Sequence, residues 1–292
     1  MTRGAITSTA CATMEDGRVR EHLKRATKRL GGSPTARRDA ELLLLRVLGQ
    51  DRAWLLTHPA AELTPEQAKQ FDDWVERRAR HEPMQYIAGE QEFLGLAMRV
   101  TRAVLIPRPE TEHVVEALLE RVPKDAPLRI CDVGTGSGAI AVALAHALPR
   151  AQLKALDISP RALEVARQNA EFHGVADRIR LIESDLLSAV RGESFDAVVS
   201  NPPYIADSEI LEPQVRDYEP QAALYAGPTG LEVYRRLIPE AHEALIPAGW
   251  LLLEIGQGQR KAVAELLAGW NDVEFIDDLQ GIPRVASARR RV

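Results

Sequence analysis

The chain has 292 residues, 45% hydrophobic and 27% charged. This is ordinary globular composition, which excludes whole-chain disorder and a collagen-like or coiled-coil fibre, and the length suggests about two domains. With 37 Lys and Arg against 42 Asp and Glu the net charge is −5, which weighs against a protein held to nucleic acid by bulk electrostatics.

Two cysteines, Cys11 and Cys131, are too few for a disulfide scaffold or a cysteine-rich zinc site and suit a reducing, cytoplasmic compartment. The seven histidines show no ligand spacing, so no metal is expected. The longest apolar run, Ala139 to Leu148, falls well short of the ~18 residues of a membrane span. Residues 1–17 lack the apolar core of a secretory signal. They read as a flexible leader, with Met14 as an alternative start.

Residues 18–82 read as a small all-α domain. Val19, Leu23, Ala26 and Leu30 recur at helical spacing, and so do Ala40, Leu43, Leu44, Val47 and Leu48. Gly31-Gly32-Ser33-Pro34 separates these two helices. A third begins at Thr64-Pro65, an N-cap followed by proline in the first turn, with Phe71, Trp74 and Val75 as its apolar stripe. Two basic clusters, Lys24-Arg25-Lys28-Arg29 and Arg77-Arg78-Arg80, suit either a solvated face or a docking surface for an acidic partner.

Residues 83–110 read as a β-hairpin linker, with strands expected at Phe93–Leu96 and Val104–Ile106. Pro107 and Pro109 then hold an extended segment, because each also restricts the residue before it. A helix follows to about Arg121. From residue 127 strands and helices alternate: strands near 128–133, 153–157, 179–183, 195–199, 250–255, 273–276 and 285–289, and helices near 139–148, 160–173 and 259–268. Such βαβ alternation implies a mainly parallel sheet covered on both faces.

The first of these strands runs into Gly134-Thr135-Gly136-Ser137-Gly138-Ala139 and directly into a helix. Glycines there permit positive φ and close approach of backbone to a ligand, and the helix start adds unpaired N–H groups. Asp157 ends the second strand, the place for a carboxylate that binds ribose hydroxyls. A nicotinamide dinucleotide and S-adenosylmethionine satisfy this pattern equally.

Asn201-Pro202-Pro203-Tyr204, directly after the fourth strand, separates the two. Two prolines stiffen the backbone and remove two donors, leaving carbonyl acceptors; the Asn oxygen is another, and the Tyr ring is a flat wall. The segment is suited to accept both hydrogens of a planar –NH2 and aim its weakly nucleophilic nitrogen at an electrophile such as a sulfonium methyl. No metal is needed for this.

In these residues the chain resembles class I methyltransferases, and more narrowly the PrmC/HemK family of protein-glutamine methyltransferases, from about residue 18 to 291. Arg38-Asp39-Ala40-Glu41-Leu42-Leu43-Leu44, Glu82-Pro83-Met84-Gln85-Tyr86-Ile87-Ala88-Gly89 and Leu105-Ile106-Pro107-Arg108-Pro109-Glu110-Thr111-Glu112 also carry the resemblance. So do Leu251-Leu252-Leu253-Glu254-Ile255-Gly256 and Asp278-Leu279-Gln280-Gly281-Ile282-Pro283-Arg284.

The resemblance implies an α/β fold: a Rossmann-like, seven-stranded, mostly parallel sheet over residues 111–292. A helical substrate-recognition domain (18–82) and a hairpin linker (83–110) would precede it. It implies methyl transfer from S-adenosylmethionine to the N5 amide nitrogen of the glutamine in the Gly-Gly-Gln loop of class I peptide chain release factors, leaving S-adenosylhomocysteine. Gly134, Thr135, Gly136, Ser137 and Gly138 would cradle the methionine end and ribose, and Asp157 with Ile158 would meet the ribose. Asp185 and Leu186 would flank the adenine. Family members often carry tryptophan where this chain has Leu186. Asn201, Pro202 and Tyr204 would be catalytic, Asn201 also bordering the cofactor. Pro203, Arg108 and Glu110 would join them at the substrate. A cytoplasmic monomer is expected, with no membrane or stable nucleic-acid partner.

Three alternatives remain at this level: an adenine N6 methyltransferase on DNA or RNA, a glutamine methyltransferase acting on a ribosomal protein, and a nucleotide-binding oxidoreductase or adenosine sensor. The first would have to flip a base and usually adds a basic groove, whereas residues 83–292 carry a net −8.

Overall fold

A computed structural model describes residues 18–292; the expected leader and Cys11 lie outside them. The chain divides into two compact units, one ending at Ala88 and the other beginning at Gly89.

The first unit is helical: α1 (Val19–Arg29), α2 (Ala36–Leu48), α3 (Arg52–Thr57), α4 (Pro65–Ala79) and α5 (Met84–Ala88). Thr64 caps α4 in a reciprocal capping box with Gln67, and Pro65 takes the first helical turn. Val19, Ala40, Leu43, Leu44 and Phe71 are fully buried and form the centre of its core. The two basic clusters are partly consumed in holding these helices together. Arg78 pairs with Asp39 at 2.7 Å, Arg77 with Glu82 at 2.8 Å, and Arg29 with Glu76 at 2.7 Å.

The second unit opens with a hairpin of β1 (Glu90–Phe93) and β2 (Leu96–Arg99). This corrects the expected strands. Phe93 closes the first strand, Leu94 and Gly95 form the turn with φ of 49° and 75°, and residues 104–106 are not a strand. Two successive positive φ values are those of the tight turn that matches strand twist. The hairpin is anchored within its unit by Asn169, which is fully buried. Asn169 accepts from the Arg99 N–H at 2.8 Å and donates to the Arg99 and Ser137 carbonyls at 3.0 and 2.8 Å.

Then follow α6 (Pro109–Arg121), β3 (Arg129–Val133), α7 (Ala139–Ala147), β4 (Gln152–Asp157), α8 (Pro160–Phe172), β5 (Ile179–Glu183) and β6 (Phe195–Ser200). After a long loop holding the single turn α9 (Pro213–Arg216) come α10 (Glu232–Ala244), β7 (Leu245–Glu254), α11 (Arg260–Leu266), β8 (Asn271–Asp277) and β9 (Pro283–Arg289). The seven strands lie in the order β5-β4-β3-β6-β7-β9-β8, and β9 alone runs against its neighbours.

Period-two alternation sorts the strand side chains between two cores. Ile130, Ala197, Val199 and Leu252 face α6, α7 and α8, whereas Cys131, Val198, Leu251 and Leu253 face α10 and α11. Both faces are covered, which explains why these strands read as continuous apolar runs. The thiol of Cys131 is a small buried hydrophobe, and burial pushes its pKa well up. Alanine-rich α7 is buried along almost its whole length, as its apolar sequence requires.

Candidate active site

The strand order reverses between β3 and β6: β4 and β5 lie to one side of β3, and β6 and β7 to the other. A parallel α/β sheet opens a crevice at such a switch point, beyond the carboxyl ends of its strands. A cavity of about 450 Å³ lies there. Its walls include Gly134 to Ser137 after β3, Asp157 to Ser159 after β4, Ser184 to Leu186 after β5, and Asn201 and Pro203 after β6.

The loop after β3 is built from backbone bonds. The N–H groups of Gly134 and Thr135 both donate to the Leu156 carbonyl at 2.8 Å, which ties the loop to β4. Gly134 and Gly136 have φ of 72° and 55°, and a Cβ at either would point into open space. Glycine is required there by conformation rather than by crowding. The Asp157 carboxylate joins the loop to the next turn: Oδ2 accepts from the Gly136 N–H and Oδ1 from the Ser159 N–H, both at 2.9 Å. Burial raises its pKa against these bonds. Each oxygen keeps a second lone-pair direction for a ligand hydroxyl.

Asp132, at the base of the loop, was given no role by its sequence context. It is fully buried; Thr135 donates to Oδ2 at 2.6 Å, and Oδ1 has no partner among the described residues. Burial raises its pKa to about 7, with the Asp157 charge adding to the rise and the Thr135 hydroxyl and the Ala141 backbone N–H working against it. A partly unpaired carboxylate under a glycine loop is suited to a cationic ligand.

On the opposite wall Leu186 takes φ of 49°, which for a side chain with a Cβ costs roughly 1 kcal/mol. The buried Ser184 hydroxyl holds that turn: it donates to the Leu186 carbonyl at 2.7 Å and accepts from the Ala189 N–H at 3.1 Å. Asp185 is exposed at the rim and ion-paired with Arg236 at 2.7 Å.

After β6, Ser200 is fully buried and donates to the Val133 carbonyl at 2.6 Å, locking β6 to β3. Asn201 Nδ2 donates to Thr111 Oγ1 at 2.9 Å. Its Oδ1, and the Pro202 carbonyl, have no hydrogen-bond partner among the described residues. The Tyr204 hydroxyl donates to Glu254 Oε1 at 3.2 Å, and the Tyr204 carbonyl accepts from Gln259 Nε2 at 2.9 Å. Burial, with the neighbouring Glu254 charge, pushes the tyrosine pKa up, so the phenol stays protonated.

The cavity thus brings together Gly134, Thr135, Gly136, Ser137, Asp157, Ile158, Asp185, Leu186, Asn201 and Pro203. Gly138, Pro202, Tyr204, Arg108 and Glu110 are not among the residues that line it. A Cβ at Gly138 would lie 3.1 Å from the Ala166 Cβ, so this glycine serves the contact between α7 and α8. Arg108 is bound at 2.6 Å to Glu219, a buried carboxylate of the long loop that also accepts from the Ile106 N–H at 3.1 Å. Thr111 lines the cavity and Glu254 is buried behind it. Both lie in segments quoted for their family likeness, but only the fold brings them to Asn201.

Residues 21–89 match the PrmC N-terminal domain and residues 110–217 the methyltransferase small domain. A release factor glutamine methyltransferase from Moorella thermoacetica is 45% identical over 94% of this chain and 99% of its own length. The protein of that description from Koribacter versatilis is 45% identical, covering 88% of this chain and 92% of its own. That from Escherichia coli is 41% identical, covering 91% and 97%.

The chain belongs to the release factor glutamine methyltransferase family.

Two solved structures place this family member among Rossmann-like methyltransferase folds. A T. thermophilus 16S rRNA N2 G1207 methyltransferase has a TM-score of 0.53 at 19% identity, over 69% of this chain and 50% of its own. A methyltransferase from Pyrococcus furiosus has a TM-score of 0.52 at 19% identity, over 74% and 99%. Among the described residues, no group of three or more His, Cys, Asp or Glu side chains could hold a metal ion, and no helix is long and apolar enough to cross a membrane.

Proposed function

We propose that the chain methylates the side-chain amide nitrogen of the glutamine in the Gly-Gly-Gln loop of class I peptide chain release factors, using S-adenosylmethionine. The observation that carries this reading is Asn201 on the cavity wall across from the glycine loop, its Nδ2 bonded away to Thr111 and its Oδ1 without a partner among the described residues.

The residues fit the cofactor on structural grounds. Asp132 keeps an orphaned oxygen under the loop, suited to a cation. Asp157 keeps acceptor capacity for ribose hydroxyls. Leu186 and Ile158 offer apolar surface to an adenine. S-adenosylmethionine supplies, when bound, an electrophilic methyl group on a sulfonium.

The protein's task is then to aim a poor nucleophile. An amide nitrogen shares its lone pair with its carbonyl. Asn201 Oδ1 and the Pro202 carbonyl accept its two hydrogens, fixing the –NH2 plane and favouring the positive charge that grows on nitrogen. Tyr204, held as a phenol, buttresses the segment through Glu254 and Gln259. One proton leaves the nitrogen during transfer. A site made of acceptors also disfavours a glutamate side chain, whose carboxylate offers no hydrogens.

The helical unit would recognise the body of the release factor, and the enzyme would act as a cytoplasmic monomer beside the translation machinery. Of the alternatives, adenine N6 methylation shares the acceptor logic but requires a base-flipping surface. No observation on this chain favours it.

The test is methyl transfer from labelled S-adenosylmethionine to a purified release factor, wild type and with the loop glutamine changed to alanine. A gain of one methyl mass on that glutamine, absent from the altered factor, is the expected result. Label on ribosomal protein or nucleic acid instead would overturn the substrate.

A further inference from the structure

Behind the acceptor wall lies a chain of side chains that the chemistry above does not use. Asn201 Nδ2 donates to Thr111 Oγ1 at 2.9 Å. Thr111 Oγ1 in turn donates to Glu254 Oε2 at 2.5 Å. The second carboxylate oxygen, Oε1, accepts from the Tyr204 hydroxyl at 3.2 Å. Thr111 and Glu254 are buried, at 4% and 1% exposure.

A hydroxyl has one hydrogen to give. An ionised Glu254 only accepts, so it claims the Thr111 hydrogen. Thr111 then has only lone pairs to offer Asn201, and Asn201 must turn its –NH2 toward Thr111. Its Oδ1 is therefore the atom left for the cavity. The direction of each bond follows from the charge at the buried end.

We propose that Thr111 and Glu254 are positioning residues that set which end of the Asn201 amide meets the substrate. The ionised carboxylate fixes Asn201 as an acceptor; a protonated Glu254 that turns its hydrogen toward Thr111 releases that constraint and lets the relay reverse. The carboxyl hydrogen would then go to Thr111, the Thr111 hydrogen to Asn201 Oδ1, and the Asn201 –NH2 would face the cavity. A donor there opposes a substrate –NH2. This inference rests on the glutamine-amide reading of the site.

The reversal falls in an accessible pH range. Burial raises the Glu254 pKa to about 7; the Thr111 and Tyr204 bonds and the Arg284 charge work against this rise, and the Glu110 charge adds to it. Tyr234 of α10 also faces this residue, donating to its backbone carbonyl at 2.9 Å. Both tyrosines are held neutral by burial and by the Glu254 charge, so the carboxyl is the member of the group that titrates.

The experiment measures methyl transfer to a release factor from pH 5.5 to 8.5 for five proteins: wild type, Thr111→Val, Thr111→Ser, Glu254→Gln and Asn201→Ala. S-adenosylhomocysteine affinity is measured in parallel. Wild-type kcat should rise with pH on a limb centred near 7. Thr111→Val, which keeps shape but breaks the relay, should lose at least tenfold in kcat with cofactor affinity within threefold. Thr111→Ser should recover to within threefold of wild type. Glu254→Gln can still accept from Thr111 through its amide oxygen and donate to Tyr204. It should retain at least a tenth of wild-type activity and lose the acid limb, a result that a purely structural carboxyl would not give.

Wild-type rate and pH profile in both Thr111→Val and Glu254→Gln, with transfer lost in Asn201→Ala, would overturn the relay and leave the amide reading standing. Undiminished transfer by Asn201→Ala would overturn the amide reading itself. Should Thr111→Val fail to fold, Thr111→Ser and the Glu254→Gln pH profile decide the matter alone.

Discussion

The two walls of the cavity are built differently. The wall formed after β3 and β4 is backbone work: N–H groups of Gly134, Thr135 and Gly136 close onto Leu156 and Asp157 from adjacent strands. The wall formed after β6 and β7 is side-chain work: Asn201, Thr111, Glu254 and Tyr204 form one buried chain spanning α6, the loop after β6 and the end of β7. In the first wall the backbone N–H groups are already spent within the fold, and what the proposed cofactor would meet is the remaining acceptor capacity of Asp157. On the proposed reading the second must present acceptors, and backbone alone cannot specify which end of an asparagine faces inward. The difference teaches that one wall is defined by conformation and the other by hydrogen-bond direction.

Substitutions should separate the two. Apart from Asn201 itself, the largest effect is expected at Gly230, where φ is 73° and an added Cβ would lie 2.5 Å from the Tyr204 carbonyl. Gly230→Ala must displace the acceptor wall. A shift of about 1 Å in a reacting group costs roughly 100-fold, so transfer should fall by about that factor while S-adenosylhomocysteine affinity, read by calorimetry, stays within threefold.

Asp157→Ala attacks the other wall. Losing hydrogen bonds to a charged group costs about 1.5–3 kcal/mol, or roughly 10- to 100-fold in Kd. Cofactor affinity should drop first, and saturating cofactor should restore much of the transfer rate.

A third effect concerns pH. The ligand-free Asp132 carboxyl has a pKa near 7, raised by burial. A cationic ligand favours its charged form, so binding should release a proton. S-adenosylhomocysteine, which carries an ammonium group, should bind more tightly as pH rises toward 7, by up to about tenfold per unit, and level off above. The unliganded fold has the opposite sign. Raised Asp132 and Glu254 values mean stability fully present at low pH and lost as pH rises through about 7. Calorimetry in buffers of different ionisation enthalpy reads the proton, and Asp132→Asn should abolish it.

The smallest effect is expected from Ser184→Ala, which removes the hydroxyl that holds the left-handed Leu186 turn. One lost hydrogen bond costs about 1 kcal/mol, seen as a few-fold loss of cofactor affinity with no change in kcat.

The same contrast explains how much was legible beforehand. Local codes carried the alternating strands, the Thr64 cap and the Gly134–Gly138 loop, because each depends on neighbours within a few residues. The hairpin was misplaced because Leu94-Gly95, lying among apolar residues, resembles strand more than turn; only the φ values reveal it. The short helices α3 and α5 gave too few residues for a period to register. The acceptor wall was half legible. Asn201-Pro202-Pro203-Tyr204 announces its chemistry, but Thr111 and Glu254 lie 90 and 53 positions from Asn201 and meet it only through the β6–β7 pairing and the packing of α6. Arg108 and Glu110 are expected at the substrate only through the family resemblance, not through any local code. In the fold Arg108 is bound to Glu219, and Glu110 lies off the cavity wall.

The measurement that bears most directly on this account is the paired behaviour of Asn201→Ala. S-adenosylhomocysteine affinity and methyl transfer to a release factor are determined on the same preparation. The two-wall account predicts transfer reduced by at least 100-fold, as for loss of a positioning acceptor, with cofactor Kd within threefold of wild type. Equal loss of both, or transfer left intact, would contradict it.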